Sequence, residues 1–309
     1  MMSTLLFRQI LSLFIMMGAG FTLVKTKLAR SDDSRILSVI SIYLIIPCTV
    51  IKAFQIELTP AVRNGFLIAL ASAVLIHVCL LLLDQVFKRV LKLDHVERAS
   101  VIYSNAGNLI IPLVTALLGE EWIIYASAYI CVQLVFLWTH AITLVSGERK
   151  IQIRKILTNV NLLSVFVGLA LMLLHIRLPE IVMSAVGGIA GIIGPVCMIM
   201  IGMVLASVDF REVLTDAKVY LTTFLKMLVT PAIILLMLWA SHLAGLVPEG
   251  RTILMISYMA AITPPAATIT QMALLHRNRP DHASAINAMS TILCVGTMPL
   301  MIWLFELLI

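Results

Sequence analysis

The sequence predicts an all-α polytopic membrane protein with ten transmembrane helices, and three observations lead there. Of 309 residues, 61% are apolar and only 12% are charged, whereas a soluble domain carries about 25% charged residues. The apolar residues gather in ten segments, most of them near the roughly 20 residues that a helix needs to cross a bilayer. The Lys and Arg residues lie in the short loops between these segments, which are alternately rich and poor in them. This composition excludes an ordinary water-soluble enzyme, a disordered chain and a nucleic-acid-binding module, because the net charge of +6 sits beside apolar segments.

The segments run over 5–24, 36–54, 66–87, 101–118, 122–145, 161–176, 181–206, 219–245, 252–274 and 283–308. Helix is the assignment throughout, since runs this long in lipid must satisfy their backbone groups internally. The sixth is short and closely followed by the seventh. Arg8 precedes an apolar run that continues to Val24 and meets a basic loop, which reads as a first membrane helix rather than a cleaved leader. Cys48, Cys79, Cys131, Cys197 and Cys294 fall inside apolar stretches without CxxC spacing or a neighbouring His cluster. They read as packing residues, and no metal or cofactor is expected. No Walker sequence, HExxH or nucleophile elbow is present, so neither ATP-driven pumping nor enzymatic chemistry is expected.

Charge sets the expected topology. The loops joining helices 1–2, 3–4, 5–6, 7–8 and 9–10 hold sixteen Lys and Arg, and the opposite side with both termini holds five, Arg8, Lys52, Arg63, Arg177 and Arg251. Positive loops face the cytoplasm, which puts both termini outside. Trp122, Trp239 and Trp303 fall near the outer ends of their helices, as interfacial anchors do. Pro47 and Pro195 are 148 residues apart, and Pro112 and Pro264 are 152 apart. That near-constant offset suggests a repeat of five helices. An odd number of helices per repeat turns the second copy upside down, the arrangement of many secondary transporters. The expected organisation is a first repeat over 1–145, a basic cytoplasmic linker over 146–160 and a second, inverted repeat over 161–309.

Two segments carry helix-breaking sequences. The fourth reads Tyr103-Ser104-Asn105-Ala106-Gly107-Asn108 and reaches Pro112. Asn and Gly are poor helix formers, and Pro112 clashes with the carbonyl of Asn108, so unwinding is expected around 105–112. The ninth carries Thr263-Pro264-Pro265, which removes two N–H donors and frees carbonyls near 260–263 for a cation or water. Broken helices of opposite direction would cross near the midplane with positive half-helix ends converging on an anion. The expected binding residues are Asn105, Gly107, Asn108, Pro112, Thr263, Pro264 and Pro265. No Asp or Glu lies mid-span; Asp84 and Glu306 are near span ends. That speaks against a cation exchanger and for an organic anion as cargo. Lys226, inside the eighth segment, can snorkel to the surface, pair with a helix end or attract an anion. His77 and His140 are alternative proton carriers. Gln133, Gln271 and Asn287 read as interhelical hydrogen-bonding residues.

Asn105-Ala106-Gly107-Asn108-Leu109-Ile110-Ile111-Pro112-Leu113 with Gly119-Glu120-Glu121 resembles the fourth-helix motif of the auxin efflux carrier family, whose bacterial members include malate and malonate permeases. Gly194-Pro195 with Ile201 to Leu205, Lys226 to Pro231, and Pro264-Pro265-Ala266 with Ser290 to Pro299 resemble its seventh to tenth helices. The resemblance implies two inverted five-helix repeats with crossed, broken helices 4 and 9. It also implies a carrier of organic anions in the bacterial inner membrane, a homodimer, a scaffold of helices 1, 2, 6 and 7, and a transport unit of helices 3–5 and 8–10. Asn108 and Ile110 stand where many members have Phe and Gly. Coupling to protons or sodium is open, and two alternatives remain: a sodium-coupled symporter resembling bile-acid carriers, and a non-transporting membrane sensor subunit.

Overall fold

The computed structural model describes residues 2–147, 154, 157–207 and 216–309. The basic residues Arg149, Lys150, Lys155 and Arg211 of the expected cytoplasmic loops lie outside the described residues. The helices are α1 (Met2–Lys25), α2 (Ser31–Ala53), α3 (Pro60–Arg89), α4a (His95–Ile102), α4b (Ala106–Leu117) and α5 (Glu120–Ser146). They continue as α6 (Val160–Leu173), α7 (Glu180–Leu205), α8 (Ala217–Ser241), α9a (Gly250–Ile262), α9b (Ala267–Leu275) and α10 (Pro280–Leu308). Six of these are long and apolar enough to cross a membrane, and α1, α4b, α6 and α9a contribute shorter apolar helices. Among the described residues there is no strand, only an isolated antiparallel bridge between Ser104 and Pro265.

Local sequence explains where the helices start. Thr59 Oγ1 accepts from the Val62 N–H ahead of Pro60 in α3, and Asn159 caps α6 through the N–H groups of Asn161 and Leu162. Asp94 and Glu97 form a reciprocal capping box on α4a. Proline explains most of the irregular turns. Wide π-turns at Ser41–Ile45, Ala106–Ile110 and Leu225–Val229 each precede a proline, at Pro47, Pro112 and Pro231. A proline clashes with the carbonyl four residues back, and in each case that residue lies in the widened turn, which relieves the clash. The helix-4 break therefore falls earlier than expected. It spans Tyr103–Asn105, and Pro112 sits inside a continuous helix beyond it.

Small residues set the closest helix crossings. A Cβ on Gly20 of α1 would lie 2.1 Å from the Ile199 carbonyl oxygen of α7, and one on Gly202 would lie 1.9 Å from that of Met17. The two backbones approach to a distance that only Gly permits. Gly168 of α6 likewise receives the Phe54 ring from the end of α2. Helices α1, α2, α6 and α7 pack on one another, while α3, α5, α9a, α8 and α10 pack together elsewhere. Large apolar side chains such as Ile15, Leu82 and Ile181 face outward, as suits a multi-pass protein in lipid.

Several charged side chains at the end carrying the basic loops are paired. Arg98 clasps buried Asp84 with two hydrogen bonds. Glu97 receives His282 Nε2 at 3.1 Å and Arg279 at 3.3 Å, with Lys218 at 3.6 Å, and His282 Nδ1 lies 2.9 Å from Asp216. Asp94, Glu97 and His282 are spaced as metal ligands can be. Arg279 and Lys218 already neutralise these carboxylates, so the cluster is an ion-pair network tying α4a to α8 and α10. Burial pushes the Glu97 carboxyl up. The hydrogen bonds from His282 and the Asp94 backbone, with the charges of Lys218 and His282, outweigh that and hold it at about 2.

Two outcomes follow from this packing. Gly202→Leu should lower the thermal unfolding midpoint of the detergent-purified protein, at a cost on the order of 3 kcal/mol, because the overlap is with backbone. Glu97→Gln should also be destabilised. Because the Glu97 value is depressed in the folded state, the difference from wild type should be full above about pH 4.5 and close as pH falls towards about 2, read as unfolding midpoint against pH.

Candidate functional site at the helix crossing

The two breaks meet. The Asn105 N–H donates to the Pro264 carbonyl at 2.8 Å, and the Ala266 N–H donates to the Tyr103 carbonyl at 2.9 Å. The crossing is thus a one-rung antiparallel ladder between α4a–α4b and α9a–α9b. Pro264 and Pro265 fit because neither is asked for an N–H; the donors are Asn105 and Ala266. Gln133 of α5 completes the pairing. Its Nε2 donates to the Ser104 carbonyl at 2.8 Å and its Oε1 accepts from the Ser104 N–H at 3.4 Å. One side-chain amide thereby serves both backbone groups of the fully buried Ser104 in the break. Thr263 Oγ1 turns back onto the Ala260 carbonyl at 3.1 Å.

Beside the crossing lies a cavity of about 190 Å³. Asn105, Asn108, Thr270, Gln271, Ser284, Asn287 and Thr291 give it a polar wall, and Met200, Ile201, Val204 and Leu205 of α7 an apolar one. Among the described residues no charged side chain lines it. The side-chain amides of Asn105 and Asn108 have no protein hydrogen-bond partner among the described residues, which leaves donors and acceptors for a ligand. Helix α9b begins at Ala267 on the cavity wall, and Ala266 offers no side-chain cap. The positive end of its dipole therefore lies beside the cavity, with Ala267 and Thr270 of its first turn in the wall. A second cavity, of about 370 Å³, lies away from the crossing and includes Glu121 and Glu249 in its lining. The crossing does not reach it.

The expected residues separate into three groups. Asn105 and Asn108 line the cavity. Thr263, Pro264 and Pro265 are buried in the ladder itself, and Pro112 is buried behind it, with its Cβ 4.0 Å from the position a Cβ on Gly194 would take. Gly107 is in the wide turn between the two Asn. Lys226 does not snorkel. Its side chain is 1% exposed, and Nζ donates to Ser104 Oγ at 2.7 Å and to the Ala261 carbonyl at 3.3 Å. His77 is buried with Nδ1 2.7 Å from the Ala73 carbonyl of its own helix, and it stacks on Phe136. His140 lies elsewhere: Nδ1 is 2.8 Å from the Tyr103 hydroxyl and Nε2 is 3.8 Å from Asp84. Neither His lines the cavity.

Sequence reasoning missed Ser104 as a member of the site and assigned Gln133 only a general interhelical role. Ser104 donates to the Ala261 carbonyl at 2.6 Å while accepting from Lys226, so it connects three helices. Its place next to Asn105 in a break was the available signal. Gln133→Leu removes both partners of a buried peptide, and each orphaned group costs about 1–3 kcal/mol. With two groups orphaned the variant should lose about 2–6 kcal/mol of unfolding free energy, whereas Gln271→Leu, on the cavity wall, should lose little; chemical denaturation in detergent compares the two.

No curated protein matches the chain. A family described as membrane transport protein matches it in two stretches, residues 5–153 and 147–302, which together span nearly the whole length. The transporter character of that family agrees with a multi-pass apolar bundle and with a cavity at two interrupted helices. The chain belongs to this membrane transport protein family, the family of the auxin efflux carriers.

Proposed function

We propose that the protein is a secondary transporter that moves a small organic anion, a mono- or dicarboxylate, across the plasma membrane by alternating access. The observation that carries this reading is the uncharged, amide-walled cavity beside the paired breaks. A carboxylate there meets the free amides of Asn105 and Asn108 and the positive end of α9b, and among the described residues no carboxylate lines the cavity to oppose it. A cation substrate would find no counter-charge among the described residues of the same lining.

The reading treats the ten helical segments as two inverted five-helix repeats, with α1, α2, α6 and α7 as scaffold and the remainder as the moving unit. In support, the cavity lies between α7 on one side and α4b, α9b and α10 on the other. Away from it, Lys52 at the end of α2 and Glu120 at the start of α5 form an ion pair across the same division. On this reading the pair holds one side closed, and the cavity, lined by Leu205 and Ser284 near the basic loops 7–8 and 9–10, faces inward.

A panel of mono- and dicarboxylates, screened by thermal unfolding of the purified protein, tests the binding site. A cargo should raise the unfolding midpoint, and Asn105→Ala and Asn108→Ala should each weaken its apparent affinity about tenfold, equivalent to about 1.4 kcal/mol. Stabilisation unchanged in both variants would remove the cavity from the account. For the gate, Lys52→Glu should reduce flux and Lys52→Glu with Glu120→Lys should restore most of it.

A further inference from the structure

The crossing is electrically divided. Helices α4a and α9a both end at it, so their C-terminal, negative ends converge there, while α4b and α9b start from it. Carbonyl ends of interrupted membrane helices are where coupled carriers hold a sodium ion. Here the freed carbonyl of α9a is already taken. Ala261 O accepts from Ser104 Oγ at 2.6 Å and from Lys226 Nζ at 3.3 Å, and Ser104 Oγ in turn accepts from Nζ at 2.7 Å. Among the described residues no carboxylate lies within ion-pair distance of Lys226. Its partners among the described residues are dipoles, the Ser104 hydroxyl and the end of a helix.

A lysine buried to this depth is costly unless something negative requires it. The wide turn Leu225–Val229, imposed by Pro231, holds Lys226 in the interior of α8. From there the stem reaches the back of the crossing, on Ser104, whose neighbour Asn105 lines the cavity. We propose that Lys226 is a tethered cation site: its Nζ fills the position between Ser104 and the Ala261 carbonyl that an exchangeable cation would otherwise occupy, so the carrier takes up no sodium there. Within the transporter reading, this rules against the sodium-coupled alternative.

The test uses thermal unfolding of the detergent-purified full chain in chloride salts of sodium, lithium, potassium, methylammonium, ethylammonium and choline. It needs no cargo, so it stands or falls separately from the identity of the anion. The wild-type midpoint should be the same in sodium as in choline. Lys226→Ala should unfold at a lower temperature in choline, and sodium, methylammonium or ethylammonium should restore most of the lost shift, since the vacated site has room for a small cation. Lys226→Met, which fills the space without a charge, should be lowered and not restored. A saturable rise of the wild-type midpoint with sodium would overturn the proposal, as would a Lys226→Ala midpoint equal to wild type or one that no small cation restores. If Lys226→Ala does not fold, the wild-type comparison decides alone.

Discussion

Backbone hydrogen bonds have no aqueous fallback inside a bilayer, and two helices interrupted at depth leave such groups exposed. Here the two interruptions satisfy each other. Asn105 N–H to Pro264 O and Ala266 N–H to Tyr103 O make a ladder of one rung, and Gln133 closes the Ser104 peptide that remains. The rest of the site is placed by this pairing. It fixes the two amides of Asn105 and Asn108 on the cavity wall and starts α9b beside them. It also leaves the Ala261 carbonyl exposed on the opposite face, where Ser104 and Lys226 meet it.

The same pairing separates the signs of charge. Carbonyl ends gather towards Lys226, and N–H ends lie beside the cavity. In the proposed reading an anion is held by neutral groups, while Lys226 Nζ offsets the opposite ends. Among the described residues the ion pairs lie at the two ends of the bundle. Asp84 with Arg98, and Glu97 with His282, Arg279 and Lys218, lock one end of the proposed moving unit internally. The Lys52–Glu120 pair instead joins groups on either side of the proposed division.

Much of this was legible in the sequence because membranes leave few options. Apolar runs, basic loops and the Pro264-Pro265 pair locate the helices and one break, and the membrane transport protein family match agrees with the resemblance of the Asn105–Leu113 stretch to the auxin efflux carriers. The other break was misplaced, since Pro112 looked like its cause. In the structure a wide turn absorbs Pro112, and the interruption lies at Tyr103–Asn105. Proline identity could not show this, because the same residue is accommodated by a π-turn at Pro47 and Pro231 without any break. Lys226 was equally ambiguous. A stem of four carbons reaches either the surface or the interior, and only the crossing, built from residues more than thirty positions away on either side, decides which.

Proteoliposome uptake of a labelled carboxylate reports most directly on whether the paired breaks form an anion pathway. Saturable uptake, inhibited by unlabelled carboxylates and abolished in a folded Asn105→Ala, Asn108→Ala double variant, is the expected result. Uptake by the double variant equal to that of wild type, or wild-type uptake no greater than in protein-free vesicles for every carboxylate tried, would contradict it.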